Sequence, residues 1–125
     1  MLPSKITSCI AEWLSELENY PPDRSILALY FGLYESPNGY CLYLTGSEDL
    51  SEESEDWRFQ NDYAPECYLE IPHSISGSCW ERFFEFANQV LTSFISSPEA
   101  GPDIYRNVKT IAIGFDDGDL SFIRV

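Results

Sequence analysis

Residues 26–45, ILALYFGLYESPNGYCLYLT, decide the fold of this 125-residue chain. Leu27, Leu29, Phe31 and Leu33 alternate with Ile26, Ala28, Tyr30, Gly32 and Tyr34. That period of two predicts a strand with one wholly apolar face and one aromatic, partly accessible face. Glu35 to Gly39 supplies a turn in which Asn38 and Gly39 are the residues best able to adopt positive φ, and Tyr40 to Thr45 returns as the partner strand. Gly32 marks a bulge or a close approach to the backbone, by a ligand or by a packed helix.

Outward from this hairpin the pattern changes to helical on both sides. Ser4 can cap a helix from Lys5 to about Asn19, with Ile6, Ile10, Trp13, Leu14 and Leu17 on one stripe, and Tyr20, Pro21, Pro22 and Asp23 stop it. On the other side Cys67 to Ile71 reads as a third strand ended by Pro72. Ser78 and Glu81 form a capping-box pair that opens a helix, with Trp80, Phe83, Phe84, Ala87, Val90, Leu91, Phe94 and Ile95 on a broad apolar face. Ser96, Ser97 and Pro98 end it, and Ala100 to Asn107 connects onward. Lys109 to Phe115 and Leu120 to Val125 then form a hairpin on an Asp117–Gly118 turn. The expected fold is α+β in one domain spanning 1–125. Its order is α-β-β-β-α-β-β, with a mainly antiparallel sheet of about five strands and two helices packed largely on one face.

The connection over residues 46–65 is longer than an ordinary loop, so it holds a short helical turn around Ser51 to Trp57 or has a task of its own. Nine carboxylates fall between Glu48 and Glu70 against the single Arg58, a local charge of −8. The whole chain has 21 acidic and 7 basic side chains and a formal charge of −14. Such a field makes naked nucleic acid and anionic membrane poor partners and speeds encounter with a basic protein. Trp57 among carboxylates has the anatomy of an interface anchor inside a steering field. Glu52, Glu53, Glu55, Asp56 and Trp57 are therefore the expected partner-binding residues. Asp116 and Asp117 join them if the final hairpin lies beside the loop. Phe59, Asp62, Tyr63 and Pro65 are expected to anchor the loop to the fold. The plainer reading is that the acids serve solubility while Trp57 and Phe59 pin a long loop.

Catalytic arrangements are thin. His73 is the only histidine, no Ser or Cys marks itself as an activated nucleophile, and there is no phosphate-cradling glycine loop. No catalytic residue, cofactor or metal is assigned. Gly114 to Asp119, GFDDGD, places three carboxylates within four residues but lacks EF-hand spacing, and a hairpin turn accounts for it. Cys9, Cys41, Cys67 and Cys79 have no C-x-x-C spacing and read as buried thiols of a reducing compartment. With no signal-like amino terminus and no long apolar run, a cytoplasmic location is expected.

Two patches resemble those of a group of small acidic bacterial proteins similar to immunity proteins. They are Trp57, Asn61, Asp62, Tyr63 and Pro65, and Gly114 through Asp119. The resemblance covers most of the chain from Tyr30 onward. It implies a cytoplasmic protein that neutralises a basic toxin delivered by neighbouring cells, with the toxin's activity left open. Two alternatives stand beside it. One is an adaptor or regulator that forms a homodimer through Tyr30, Tyr34, Tyr40 and Tyr43; the other is a small enzyme or ion-binding protein that uses its carboxylates.

Overall fold

The structure is a computed structural model and describes residues 1–23, 25–49, 56–96, 105 and 108–124. The opening hairpin forms as β1 (Ala28–Ser36) and β2 (Gly39–Ser47), antiparallel from Ala28↔Ser47 to Ser36↔Gly39. Its two-residue turn, Pro37–Asn38, does not use the left-handed geometry expected of Asn38 and Gly39, since among the described residues only Gly77 has positive φ. Instead the Gly39 N–H donates to Ser36 Oγ at 3.2 Å. Glycine at 39 answers a different need: a Cβ there would stand 2.0 Å from the Ile71 carbonyl oxygen.

Five strands form one sheet in the order β3-β2-β1-β4-β5, with β3 Leu69–Pro72, β4 Thr110–Phe115 and β5 Ser121–Arg124. Three neighbouring pairs are antiparallel, but β1 and β4 are parallel, from Ala28↔Thr110 to Leu33↔Phe115, so the sheet is mixed. The chain leaves β3 at one edge, crosses through helix, and re-enters beside β1. β1 and β4 therefore lie in the interior of the sheet, and Thr110–Gly114 is buried without interruption. The β4–β5 pairing shifts register between Ile111 and Ala112, leaving Ile123 as the extra residue of a bulge.

Helix count and order also differ from the two-helix expectation. α1 (Pro3–Leu17) starts with proline in its first turn and has no side-chain cap, so Ser4 lies inside it. A short α2 (His73–Ser76) follows β3 directly, ends at Gly77 with φ 77°, and precedes α3 (Trp80–Ser96). A 3₁₀ turn spans Asp56–Phe59.

The main core lies between the helices and one face of the sheet. Ile6, Ile10, Trp13 and Leu17 from α1 and Phe83, Ala87, Leu91 and Ile95 from α3 meet Leu29, Phe31, Leu33, Ile111 and Ile113. Tyr40 stacks on Phe83 with ring centroids 4.7 Å apart, and the Trp13 indole N–H donates to the Cys67 carbonyl at 2.9 Å. Truncating a fully buried ring such as Phe83 to alanine should cost about 3–5 kcal/mol.

Candidate functional site

The opposite face of the sheet is built from small residues at its centre. Ala28, Gly32, Ala112 and Gly114 leave a trough beside Tyr30, and the 3₁₀ turn lies in it: Trp57 packs with Ala28, Tyr30 and Ala112, with Tyr43 and Leu120 at the border. Gly32 and Gly114 are direct partners in the β1–β4 register. A Cβ at Gly32 would meet the Tyr43 ring at 2.1 Å, so the close approach foreseen at this glycine is made by a neighbouring side chain.

Arg58 occupies the middle of this face at 3% exposure. It donates to the carbonyls of Phe115 (2.6 Å) and Gly118 (3.0 Å) and to Tyr30 Oη (2.9 Å). Its guanidinium carbon lies 4.8 Å from the Tyr30 ring centroid and 4.9 Å from that of Phe59. The single Tyr30 hydroxyl proton is shared between the Gly114 carbonyl and Asp116 Oδ1, both 2.9 Å away. Tyr43 Oη donates to the same Asp116 oxygen. Burial pushes the Tyr30 hydroxyl up to about 12; the Arg58 bond pulls it down and Asp116 adds to the rise. Tyr43 is also raised, by burial first and then by its bond to Asp116. Both phenols stay protonated at neutral pH and act as donors that hold the carboxylate.

The acidic turn is thus fixed from beneath. Asp116 N–H donates to the Leu33 carbonyl at 3.1 Å, and Gly118 N–H donates to the Phe115 carbonyl at 2.9 Å. The tight turn is Phe115–Gly118, with Asp116 and Asp117 in its middle, where an Asp117–Gly118 turn was expected.

Beside this turn runs a groove of about 920 Å³. Tyr34 and Glu35 enter it from the end of β1, Trp80 and Phe84 from the first turns of α3, and Phe115 to Asp119 from the turn. Phe115 organises its aromatic part, with ring centroids 5.5 Å from Trp80, 5.9 Å from Phe84 and 6.1 Å from Tyr40. Trp80 is 51% exposed and Tyr34 43%. Glu35, Asp116, Asp117 and Asp119 are exposed, and no described lining residue is basic. Helical periodicity had placed Trp80 on the buried face of α3, but it stands in the first turn, at the margin of the packed face.

The residues expected to bind a partner are distributed unevenly. Glu52, Glu53 and Glu55 and the side chain of Asp56 lie outside the described residues. Trp57 is 4% exposed, inside the outer-face cluster. Asp116 and Asp117 are exposed, and the Arg58 bonds bring their turn against the end of the long connection. Of the expected anchors, Phe59 is 52% exposed and lies over Arg58, whereas Tyr63 and Pro65 are buried. Tyr63 exchanges two backbone bonds with Gly46 and donates its hydroxyl to the Tyr20 carbonyl at 2.5 Å. Asp62 Oδ2 accepts the Glu48 N–H at 2.9 Å.

Sequence reasoning did not single out Arg58, Glu35 or Trp80. For Arg58 the signal was there to read, since one cation amid nine carboxylates invites the question of what holds it. Tyr30, Tyr34, Tyr40 and Tyr43 do not form one aromatic face. Tyr40 and Tyr43 are three residues apart and so point to opposite sides of β2, Tyr40 into the main core and Tyr43 to the outer face. Cys41 and Cys67 are buried thiols, Cys9 is half-buried, and Cys79 is exposed, correcting the expectation of uniform burial. Among the described residues no three His, Cys, Asp or Glu side chains are grouped to hold a metal ion, and no helix is long and apolar enough to cross a membrane.

Fold and site together define a small α+β protein with a mixed five-stranded sheet and an acidic, aromatic-lined groove at the end of its central strands. No protein-family model matches the chain, and no curated protein and no solved structure matches it either.

Proposed function

We propose that this chain is an acidic protein-binding module that engages a basic protein, in its most specific form an immunity protein that blocks the active cleft of a basic toxin. The observation that carries the reading is a charge of −14 on a chain of 125 residues. That excess is larger than a small domain needs for solubility and is suited to fast, selective capture of a cationic surface. The acidic turn supports the same reading, because a turn whose backbone and Asp116 carboxylate are already held loses little freedom on binding.

Co-expression with the product of the adjacent gene tests the proposal. The expected result is a stoichiometric complex with a basic protein whose toxicity is abolished. Its association rate should fall by about tenfold or more between low and physiological ionic strength. A complex whose association rate ignores salt would remove the electrostatic basis of the reading, and a neighbouring product that neither binds nor harms cells would remove the toxin.

A further inference from the structure

We infer that the basic partner docks in the groove between the end of β1, the first turn of α3 and the β4–β5 turn, and that the occupant is an arginine-bearing segment of that protein. The inference rests on the reading of the chain as a binder of a basic protein. It shifts the centre of contact from Glu52–Trp57 to Trp80 and the Asp116–Asp119 turn.

Three features select this chemistry. The groove presents a half-exposed indole in a T-shaped contact with Phe115, beside the exposed ring of Tyr34, so a flat cation can lie against aromatic surface. Four exposed carboxylates surround the same space and no described lining residue is basic, so the charge complement is positive. A guanidinium satisfies both demands at once, stacking on a ring while forming paired hydrogen bonds to a carboxylate, whereas an ammonium is a point charge that prefers water. Asp116 is already oriented, since Tyr30 and Tyr43 both donate to its Oδ1 and Oδ2 accepts from no described donor. The turn is held by Arg58 from the outer face, so little ordering remains for the bound state.

The occupant is a protein segment because the space is large and open. At about 920 Å³ it exceeds what one guanidinium fills, and Tyr34, Trp80 and the carboxylates on its walls are solvent-exposed. Residues flanking the arginine would cover Trp80 and Phe84 and exclude water from the ion pair, as the ring around a hot spot does.

The test is NMR titration of the ¹⁵N-labelled full chain, whose three tryptophans give three indole N–H signals. Trp13 and Trp57 are buried and serve as internal controls for Trp80. The probes are a synthetic peptide with arginine in a glycine–serine context, the same peptide with citrulline in its place, and free arginine amide, all at about 0.15 M salt, where the Debye length is about 8 Å. The arginine peptide should move the Trp80 indole and the amides of Asp117 to Asp119 while leaving Trp13 and Trp57 still. Citrulline peptide and arginine amide should each bind about tenfold more weakly. Trp80→Ala should weaken binding about fivefold and Asp117→Asn/Asp119→Asn about fivefold to tenfold. Glu12→Gln/Glu18→Gln, an equal charge change on exposed positions of α1 and just beyond it, should change it less than twofold. Asp116 is left intact because it belongs to the outer-face network.

An unmoved Trp80 indole, or equal losses from the turn pair and the α1 pair, would overturn the groove. Arginine amide binding as tightly as the peptide would make this a small-cation site and overturn the docking surface. A complex with the basic partner protein that forms normally with both groove variants would overturn the groove alone and leave the proposed function standing. Absence of any such complex would remove the proposed function itself.

Discussion

Replacing Arg58 should unfasten the acidic turn. Arg58 is 3% exposed and donates to two turn carbonyls and to Tyr30 Oη while lying over two aromatic rings. Charged hydrogen bonds contribute about 1.5–3 kcal/mol each, but three bonds from one guanidinium, two to the turn and one to Tyr30, are not additive. Removing one member of a buried charged network costs about 3–5 kcal/mol. With an unfolding entropy of about 2.1 cal/mol/K per residue, each kcal/mol moves the Tm of a chain this size by about 4 °C. Arg58→Ala should therefore lower the Tm by about 12–20 °C. Arg58→Lys, which keeps the charge but loses the fork, should lose about half as much. Thermal and urea unfolding followed by near-ultraviolet circular dichroism measure both, and a cycle with Tyr30→Phe should give a coupling of about 1–2 kcal/mol. If Arg58→Ala unfolds within about 1 kcal/mol of wild type and the coupling is below about 0.5 kcal/mol, the guanidinium does not hold the turn and the account of the outer face is wrong.

Gly32→Ala and Gly39→Ala should differ, the first costing about 1–3 kcal/mol because the Tyr43 ring can swing aside, the second more because its obstacle is the backbone of β3. Equilibrium unfolding ranks them, and Tyr43→Ala should rescue Gly32→Ala but leave Gly39→Ala unchanged. Stability should fall as pH rises from about 10 to about 12. Tyr30 and Tyr63 are pushed up to about 12 by burial, so the folded state holds protons that the unfolded state gives up near 10. Tyrosinate absorbance should accordingly rise together with unfolding, and four phenols, Tyr30, Tyr43, Tyr63 and Tyr105, should ionise only as the fold is lost. A thiol reagent should titrate Cys79 first, Cys9 more slowly, and Cys41 and Cys67 only on unfolding; Cys79→Ser should abolish the fast phase.

Local order was legible where a single period dominates. The alternation of Leu29, Phe31 and Leu33 and the helical spacing of Ile6, Ile10, Trp13 and Leu17 were read correctly because each needs only near neighbours in sequence. The parallel β1–β4 pairing was missed because it joins residues about 80 positions apart and no local signal names a strand's neighbour. A hint existed in TIAIGF, apolar on both faces, which suits an interior strand better than one half of an exposed terminal hairpin. For Trp80, periodicity gives the angular face of the residue but not whether the sheet reaches that far along the helix. Residue type alone groups Tyr40 with Tyr43, whereas a separation of three places them on opposite faces of one strand.

Two of the described arginines donate to backbone carbonyls at the ends of strands. Arg58 donates to the carbonyls of Phe115 and Gly118, and Arg124 donates through Nη1 to those of Tyr105 and Val108. The Arg58 bonds fasten the β4–β5 turn through its backbone carbonyls, and the Asp117 and Asp119 side chains stay exposed at its surface. Arg58 positions the turn, while the exposed carboxylates supply its charge. Asp117→Asn/Asp119→Asn should leave unfolding within about 0.5 kcal/mol of wild type, as expected for exposed side chains away from the packed network, while slowing association with a basic protein. Arg58→Ala should do the reverse at temperatures where it stays folded, lowering the Tm sharply while preserving the salt dependence of association. Stopped-flow association and thermal unfolding on the two variants measure this separation, and a turn variant that loses as much stability as Arg58→Ala would show that the carboxylates belong to the fold and not to the partner.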